Sequence, residues 1–238
     1  MNFSDWSPFQ LLILQMEQEG LVSRTFRRLD ASRQQAIVQA VLSEAAEKGP
    51  GSINIKEIAR RAGVSIGSLY MYFPNRDGLL DFVIELCVRY TVSEFDQYRA
   101  DLVSLPLDQG LLAYLTGGVE WSRTQVSMLQ FFGRAAYHGN AYLAERVVTP
   151  IATSMRTIVR DMLAAAVERC EVRPDIDLEA ASRLMHALTI VVGDSQLLPD
   201  LNFYFQITDP DTPIERILEA MIVLLQNGLG THQETLQP

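Results

Sequence analysis

The sequence predicts an all-α protein: a small three-helix head carrying a helix-turn-helix, joined to a larger helical body. Three observations point there. Apolar residues recur at three- and four-residue spacing along most of the 238 residues, while period-two alternation bounded by turn residues is scarce. Pro106, Pro150, Pro174 and Pro213 punctuate the periodic stretches. Hydrophobic residues make up 48% of the chain, enough for a small domain and a larger one, each with a core.

The elements follow in order. Residues 8–20 read as a short helix, apolar through Phe9, Leu11, Leu12, Leu14 and Met16. Ser32 can cap a helix whose inward residues include Ile37, Val41 and Ala45, ending near Lys48–Gly49. Asn54 caps a second helix that stops at Gly63, and Ser65 caps a third of about two turns that Pro74 ends. A long helix starts near Asn75 and runs through Leu79, Val83, Leu86 and Tyr90. Further helices are expected at about 107–121, 124–138, 140–149, 150–172, 177–196 and 213–229, with a loop marked by Pro199 and Pro210 before the last.

Composition excludes several function classes. No apolar run of about 18 residues occurs, so no membrane span is expected. FQLLILQM lacks a basic lead and a small-residue cleavage site, which gives an expectation of a cytoplasmic protein. Cys87 and Cys170 sit far apart in helical patterns and read as buried free thiols. His138, His186 and His232 lack metal-ligand spacing, and no Ser/His/Asp or Cys/His arrangement stands out. Asp175 and Asp177 open a helix, where acids suit the dipole. Neither a catalytic set, a metal site nor a cofactor is expected.

The formal net charge is −9, yet the charge is unevenly placed. From Arg24 to Leu79 nine basic residues (Arg24, Arg27, Arg28, Arg33, Lys48, Lys56, Arg60, Arg61, Arg76) stand against five acidic ones, 9 − 5 = +4. A basic module on an acidic body can bind a polyanion, because screening beyond about 8–10 Å weakens distant repulsion. The RTFRRL run at 24–29 fits either a basic arm along a phosphate backbone or a solvated face. FQLLILQM fits either packing against its neighbours or a partner-binding segment.

Asn54 to Phe73 reads as a helix-turn-helix, with Gly63 supplying the left-handed turn and Val64 filling the gap between helices. In the second helix Leu69 and Phe73 are four apart and point inward. Ile66, Gly67, Tyr70 and Met71 lie on the opposite face, with Ser68 and Tyr72 on the flanks. Such a face suits a groove. Gly67 allows close backbone approach, tyrosine hydroxyls can donate to phosphates, and rings and methyls can touch thymine methyl groups. Lys56 in the first turn after Asn54, and Arg76 at the start of the next helix, are placed for phosphates.

IKEIARRAGVSIGSLYMYFPNRDGLL resembles the DNA-binding signature of TetR-family transcriptional regulators. Ile58, Ala59, Ala62–Ser65, Gly67, Leu69–Tyr70, Tyr72–Phe73, Asn75 and Leu79–Leu80 all fall in step with it. The likeness is close over about 33–80 and extends by architecture to about 230. It implies DNA contacts by Asn54, Lys56, Ser65, Ile66, Gly67, Ser68, Tyr70, Met71, Tyr72 and Arg76, the last in place of the usual lysine. Two features depart from the pattern: Ile66 stands where a basic or polar residue is common, and a 30-residue lead precedes the first family helix.

The resemblance divides the chain into a helical extension at 1–30, the DNA-binding domain at 31–78, an effector-binding and dimerisation domain at 79–230, and a tail at 231–238. It implies a repressor that binds a near-palindromic double-stranded operator as a homodimer. A small apolar or amphipathic effector in the body would release it. Trp121, Met128, Phe131, Phe132, Tyr137, Met155 and His186 are the candidate effector-binding residues. The helices at 177–196 and 213–229 would form the dimer contact, the second being too apolar to stand exposed. The alternative is a DNA-binding regulator controlled by a protein partner.

Overall fold

The computed structural model describes residues 6–137 and 139–229; the tail at 231–238, the first five residues of the extension, His138 and His232 lie outside the described residues. Among the described residues the chain is helical, and the β pairing is an isolated Asp209–Thr212 bridge. The extension holds α1 (Ser7–Gln18) and α2 (Arg24–Arg27). The head follows with α3 (Ala31–Lys48), α4 (Ile55–Ala62) and α5 (Ile66–Tyr72). Then come α6 (Arg76–Ser104), α7 (Leu107–Thr124), α8 (Val126–Tyr137) and α9 (Ala141–Leu143). The chain continues through α10 (Thr149–Glu168), α11 (Leu178–Leu197), α12 (Pro199–Phe205) and α13 (Ile214–Leu229).

Several elements depart from expectation. Asp30, not Ser32, caps α3: its Oδ1 accepts the Arg33 N–H at 3.0 Å from an extended backbone, and Ser32 lies inside the helix. The stretch between Pro199 and Pro210, expected as loop, opens with α12, where the proline sits in the first turn and loses no helical hydrogen bond. Pro150 likewise occupies the first turn of α10, so the chain passes from α9 through a π-turn at Ala144–Val148 without the expected break. α10 ends at Glu168, short of 172. Cys87 is buried, and burial pushes its thiol up to about 12; Cys170, at φ 60, is exposed, contrary to expectation.

The fold resolves into two compact units. One takes the chain up to Glu94 together with Arg123–Ile151, and the other takes Phe95–Ser122 with the chain from Ala152 onward. The division therefore falls inside α6.

In the first unit α3 packs on both α4 and α8, with Ile37, Val38, Val41 and Leu42 fully buried. Phe82 and Leu86 of α6 and Met128 and Phe131 of α8 are buried in the same unit. The extension is part of this core. Trp6 stacks on Phe9 at 4.4 Å and Phe9 on Tyr90 at 4.1 Å. Arg89 holds Glu19 by two hydrogen bonds of 2.8 and 2.7 Å. Each buried ring contributes roughly 1.5–3 kcal/mol and each ring pair about 1 kcal/mol more. Phe9, Ile13 and Met16 face inward, so FQLLILQM packs against the first unit, while Leu11 and Leu14 stay exposed.

The second unit has its own apolar cluster, built from Leu111, Tyr114 and Leu115 of α7, Ile158, Met162 and Leu163 of α10, Met185 and Val192 of α11, and Leu218 and Met221 of α13. Gly110 lets α7 start close to the end of α6: a Cβ there would lie 2.8 Å from the Leu102 carbonyl oxygen.

Candidate nucleic-acid interface

The helix-turn-helix is set by local capping chemistry. Asn54, extended at φ −107° and ψ 112°, accepts the Lys56 N–H at 3.0 Å and starts α4. Gly63 ends it in the left-handed region at φ 66°. There the Val64 N–H reaches the Ala59 carbonyl at 3.0 Å and the Gly63 N–H reaches Arg60 at 3.3 Å, the paired bonds of a Schellman turn. Two residues on, the Ser65 Oγ accepts the Ser68 N–H at 2.9 Å and starts α5. Phe73 is extended, as the residue before Pro74 must be, and closes it. The Asn75 side chain then accepts the Gly78 N–H at 2.8 Å to open α6.

α5 is held by Leu69 and Phe73, 1% and 2% exposed. Its outer face carries Ile66, Tyr70 and Met71 at 37%, 51% and 62% exposure, with Ser65 and Gly67 also exposed and Ser68 half-buried. Tyr72 departs from expectation. It is buried, and its ring meets Phe26 edge-on at 5.9 Å, so it belongs to the packing behind α5 and leaves the exposed face. Sequence spacing missed this because the partner lies 46 residues upstream, 72 − 26, on the extension.

That partner also revises the reading of RTFRRL. The run is the helix α2, and Phe26 is its buried anchor, packed on Phe73 and Phe82 at 5.1 Å each. The Ser23 N–H donates to the Tyr72 carbonyl at 3.1 Å, joining the extension to the last turn of α5 by main chain. Arg27 pairs with Glu17, whereas Arg24 and Arg28 remain exposed. Gln34 completes the junction. Its Oε1 accepts from Trp6 Nε1 at 2.9 Å, and its Nε2 donates to the carbonyls of Phe26 and Arg27 at 3.3 and 3.1 Å. A polar residue on the 34–38–41–45 stripe of α3 was the available signal.

Glu44, on the same inner side of α3 and fully buried, works similarly. It accepts from Lys48 at 2.7 Å and from the Asn54 N–H at 3.3 Å, and Arg61 lies 3.4 Å from its other oxygen. One carboxylate thus ties α3 to the cap and last turn of α4.

Most of the head's positive charge is already paired. Arg61 holds Glu47 by two bonds of 2.7 Å and Glu57 at 2.8 Å, and Arg60 holds Glu57 at 2.9 and 2.5 Å. Arg60, then Arg61, draw the Glu57 carboxyl down to about 2. Arg76 lies 3.0 Å from Asp77. Lys56 is exposed and makes no ion pair among the described residues.

The candidate effector residues divide between the units. Met128, Phe131 and Phe132 are buried in the first unit, and Tyr137 there is 51% exposed. Trp121, Met155 and His186 belong to the second, where Trp121 meets Phe95 at 5.8 Å. Aromatic excess alone does not tell a core helix from a cavity wall.

Within the second unit three buried polar atoms lack a hydrogen-bond partner: Tyr114 Oη, Ser154 Oγ and His186 Nδ1. Burial, and then the Arg156 charge, hold the imidazole of His186 below its ordinary value. The Thr189 hydroxyl lies beside Tyr114 and gives its own proton to the His186 carbonyl at 2.8 Å, which leaves its oxygen as an acceptor. Tyr114 and Ser154 escaped sequence reading because nothing local distinguishes them from neighbouring core and surface residues.

Residues 37–83 match the family model described as bacterial regulatory proteins, tetR family. The HTH-type transcriptional regulator LuxR of Vibrio harveyi is 26% identical over 176 residues, covering 71% of this chain and 82% of that protein. BetI of Stenotrophomonas maltophilia is 31% identical over 91 residues, covering 38% of this chain and 46% of BetI, so that likeness spans less than half of the relative. In structure, a TetR family transcriptional regulator from Chloroflexus aurantiacus superposes with a TM-score of 0.59 at 18% identity, over 89% of this chain and 99% of that one. A likeness at that identity shows the fold.

Proposed function

We propose that this chain, a TetR-family transcriptional regulator, works as a homodimeric repressor that a small apolar or amphipathic effector releases from DNA. The observation that carries the DNA half is α5. A capped helix-turn-helix presents Ile66, Gly67, Tyr70 and Met71 outward, while Leu69 and Phe73 are fully engaged behind them. In this reading Ser65, Ser68 and those four residues enter the major groove, with Asn54, Lys56 and Arg76 on phosphates. Two heads related by a two-fold axis call for half-sites about one DNA turn apart, roughly 34 Å.

The effector half rests on the second unit. Tyr114 belongs to the apolar cluster, and half-buried Ser154 and His186, on α10 and α11 which also build it, likewise leave a buried atom unused; apolar surface with a few free polar groups is the composition of a ligand site. Each such atom costs roughly 1–3 kcal/mol, which a bound molecule with matching polar groups recovers. That gain shifts the protein only if the effector fits the DNA-incompetent form better. Dimerisation is supported by α11 and α13, which expose Leu184 and Leu188, and Val223 and Leu224, at 40–69%.

The test is selection of bound duplexes from a random library with the full-length protein, followed by gel shift and light scattering. A near-palindromic motif bound by two copies is expected. If no sequence is enriched over the starting library, the repressor reading is wrong. A thermal-shift screen of metabolites, with hits added to the gel shift, then tests release.

A further inference from the structure

We infer that this head reads its DNA mainly through thymine methyl groups, with Ile66, Tyr70 and Met71 as the specificity-determining residues. This rests on the DNA-binding reading of α5 and adds the chemistry of the site it takes.

The first observation is what α5 lacks. Its seven residues, IGSLYMY, include no Arg, Lys, Asn, Gln, Asp or Glu. The side chains that pair bidentately with guanine or adenine, or accept from cytosine, are therefore absent from the helix that faces the groove. The two serines are engaged with each other, since the Ser65 and Ser68 Oγ atoms lie 2.8 Å apart and Ser65 also caps the helix. Apart from the Tyr70 hydroxyl, what remains is apolar surface. In the major groove the thymine C5-methyl is the base feature that apolar surface recognises.

The second observation is Gly67. Its φ is not in the left-handed region, and a Cβ added there would meet only the Ser65 Oγ, at 3.7 Å. The fold therefore does not need a glycine at this position, although glycine in a helix costs roughly 1 kcal/mol relative to alanine. Gly67 lies between Ile66 and Met71 on the outward face, where a missing side chain lets a base edge come close to the backbone.

The third is charge. Of the nine basic residues from Arg24 to Arg76, Arg24, Arg28 and Lys56 make no ion pair among the described residues. Three phosphates neutralised per head, or four with Arg76 turned from Asp77 to DNA, make six to eight per dimer and a salt slope of about −5 to −7. Phosphate contacts are the same for every sequence, so the apolar face is left to supply the discrimination.

The experiment starts from the duplex selected by the full-length protein and replaces each thymidine of one half-site by deoxyuridine. The exchange deletes the methyl and keeps the base pairing. At two or more positions we expect about fourfold weaker binding per methyl, the fold-change for losing one buried carbon. Met71→Ala should bind more weakly and bring the thymidine-to-deoxyuridine ratio close to 1 at one of those positions. Gly67→Ala should fold at least as well as the parent and bind less tightly. If the selected DNA binds equally well with deoxyuridine at every position, or the motif has guanine and cytosine throughout, methyl reading is overturned while DNA binding stands. If no motif emerges, both readings fall.

Discussion

Gln34 and Tyr114 are both buried polar side chains, and the two units treat them oppositely. In the first unit Gln34 has its oxygen and its amide nitrogen engaged by Trp6, Phe26 and Arg27, and the Glu44 carboxylate gathers Lys48, Asn54 and Arg61. In the second, Tyr114, Ser154 and His186 each hold a buried atom with no partner. The first unit has lone buried oxygens of its own, on Gln39, on Gln125 and on Glu44, whose Oε2 has Arg61 at 3.4 Å without a hydrogen bond. A saturated polar group such as Gln34 fixes one local geometry, here where the extension meets α3. Unsaturated ones, in either unit, leave free energy to be recovered by whatever binds there.

The largest effect that could break this contrast lies at Phe26. Phe26→Ala should cost about 3–5 kcal/mol, because a fully buried ring is lost from contact with Tyr72, Phe73 and Phe82. The midpoint of the first urea transition should drop accordingly. A loss under about 1 kcal/mol, small for a core ring, would detach the extension from the head's frame. In the second unit the sign reverses. Tyr114→Phe removes an unsatisfied hydroxyl and should stabilise the free protein by about 1 kcal/mol, a rise of roughly 2–4 °C in Tm. A fall in Tm of that size would show the hydroxyl already has a partner.

Gly67→Ala sharpens the comparison within the head. It should raise stability by about 0.5–1 kcal/mol while weakening DNA binding, separating a residue kept for the groove from residues kept for the fold. Matched losses of stability and binding would argue against that separation. The smallest effect concerns His186. Its folded-state value is depressed by burial and by Arg156, so as pH falls below about 6.5 the unfolded chain takes up the proton first and stability declines. Tm measured between pH 8 and pH 5.5 should fall on the acid side in the parent and less so in His186→Gln. Parallel profiles would place His186 outside any buried site.

What was legible in the sequence was local. Asn54, Gly63, Ser65 and Pro74 act within four residues of themselves, through caps and turn geometry, and their elements stand where spacing put them. Tyr72 was misread because its partner lies on a helix that looked like a charged arm. α12 was missed because two prolines suggested a loop, although one of them begins a helix. Met128, Phe131 and Phe132 fall in one unit and His186 in the other, a division that apolar and aromatic content does not signal, because which unit a helix joins is decided by packing partners far away in the chain. The orphaned atoms of Tyr114 and Ser154 were beyond reach for a related reason. A missing hydrogen bond is a property of surroundings, not of a residue.

The hydrogen bond from Ser23 to Tyr72 bears on how this head could be moved between proteins. The family likeness starts at Ile37, which invites a transplant that begins there. Such a graft would leave behind Trp6, Phe9 and Phe26, along with the main-chain link to the end of α5. It would carry α5 without the wedge packed behind it. A chimaera made from this chain should begin no later than Trp6, and the leading helices should travel with the head as one cassette.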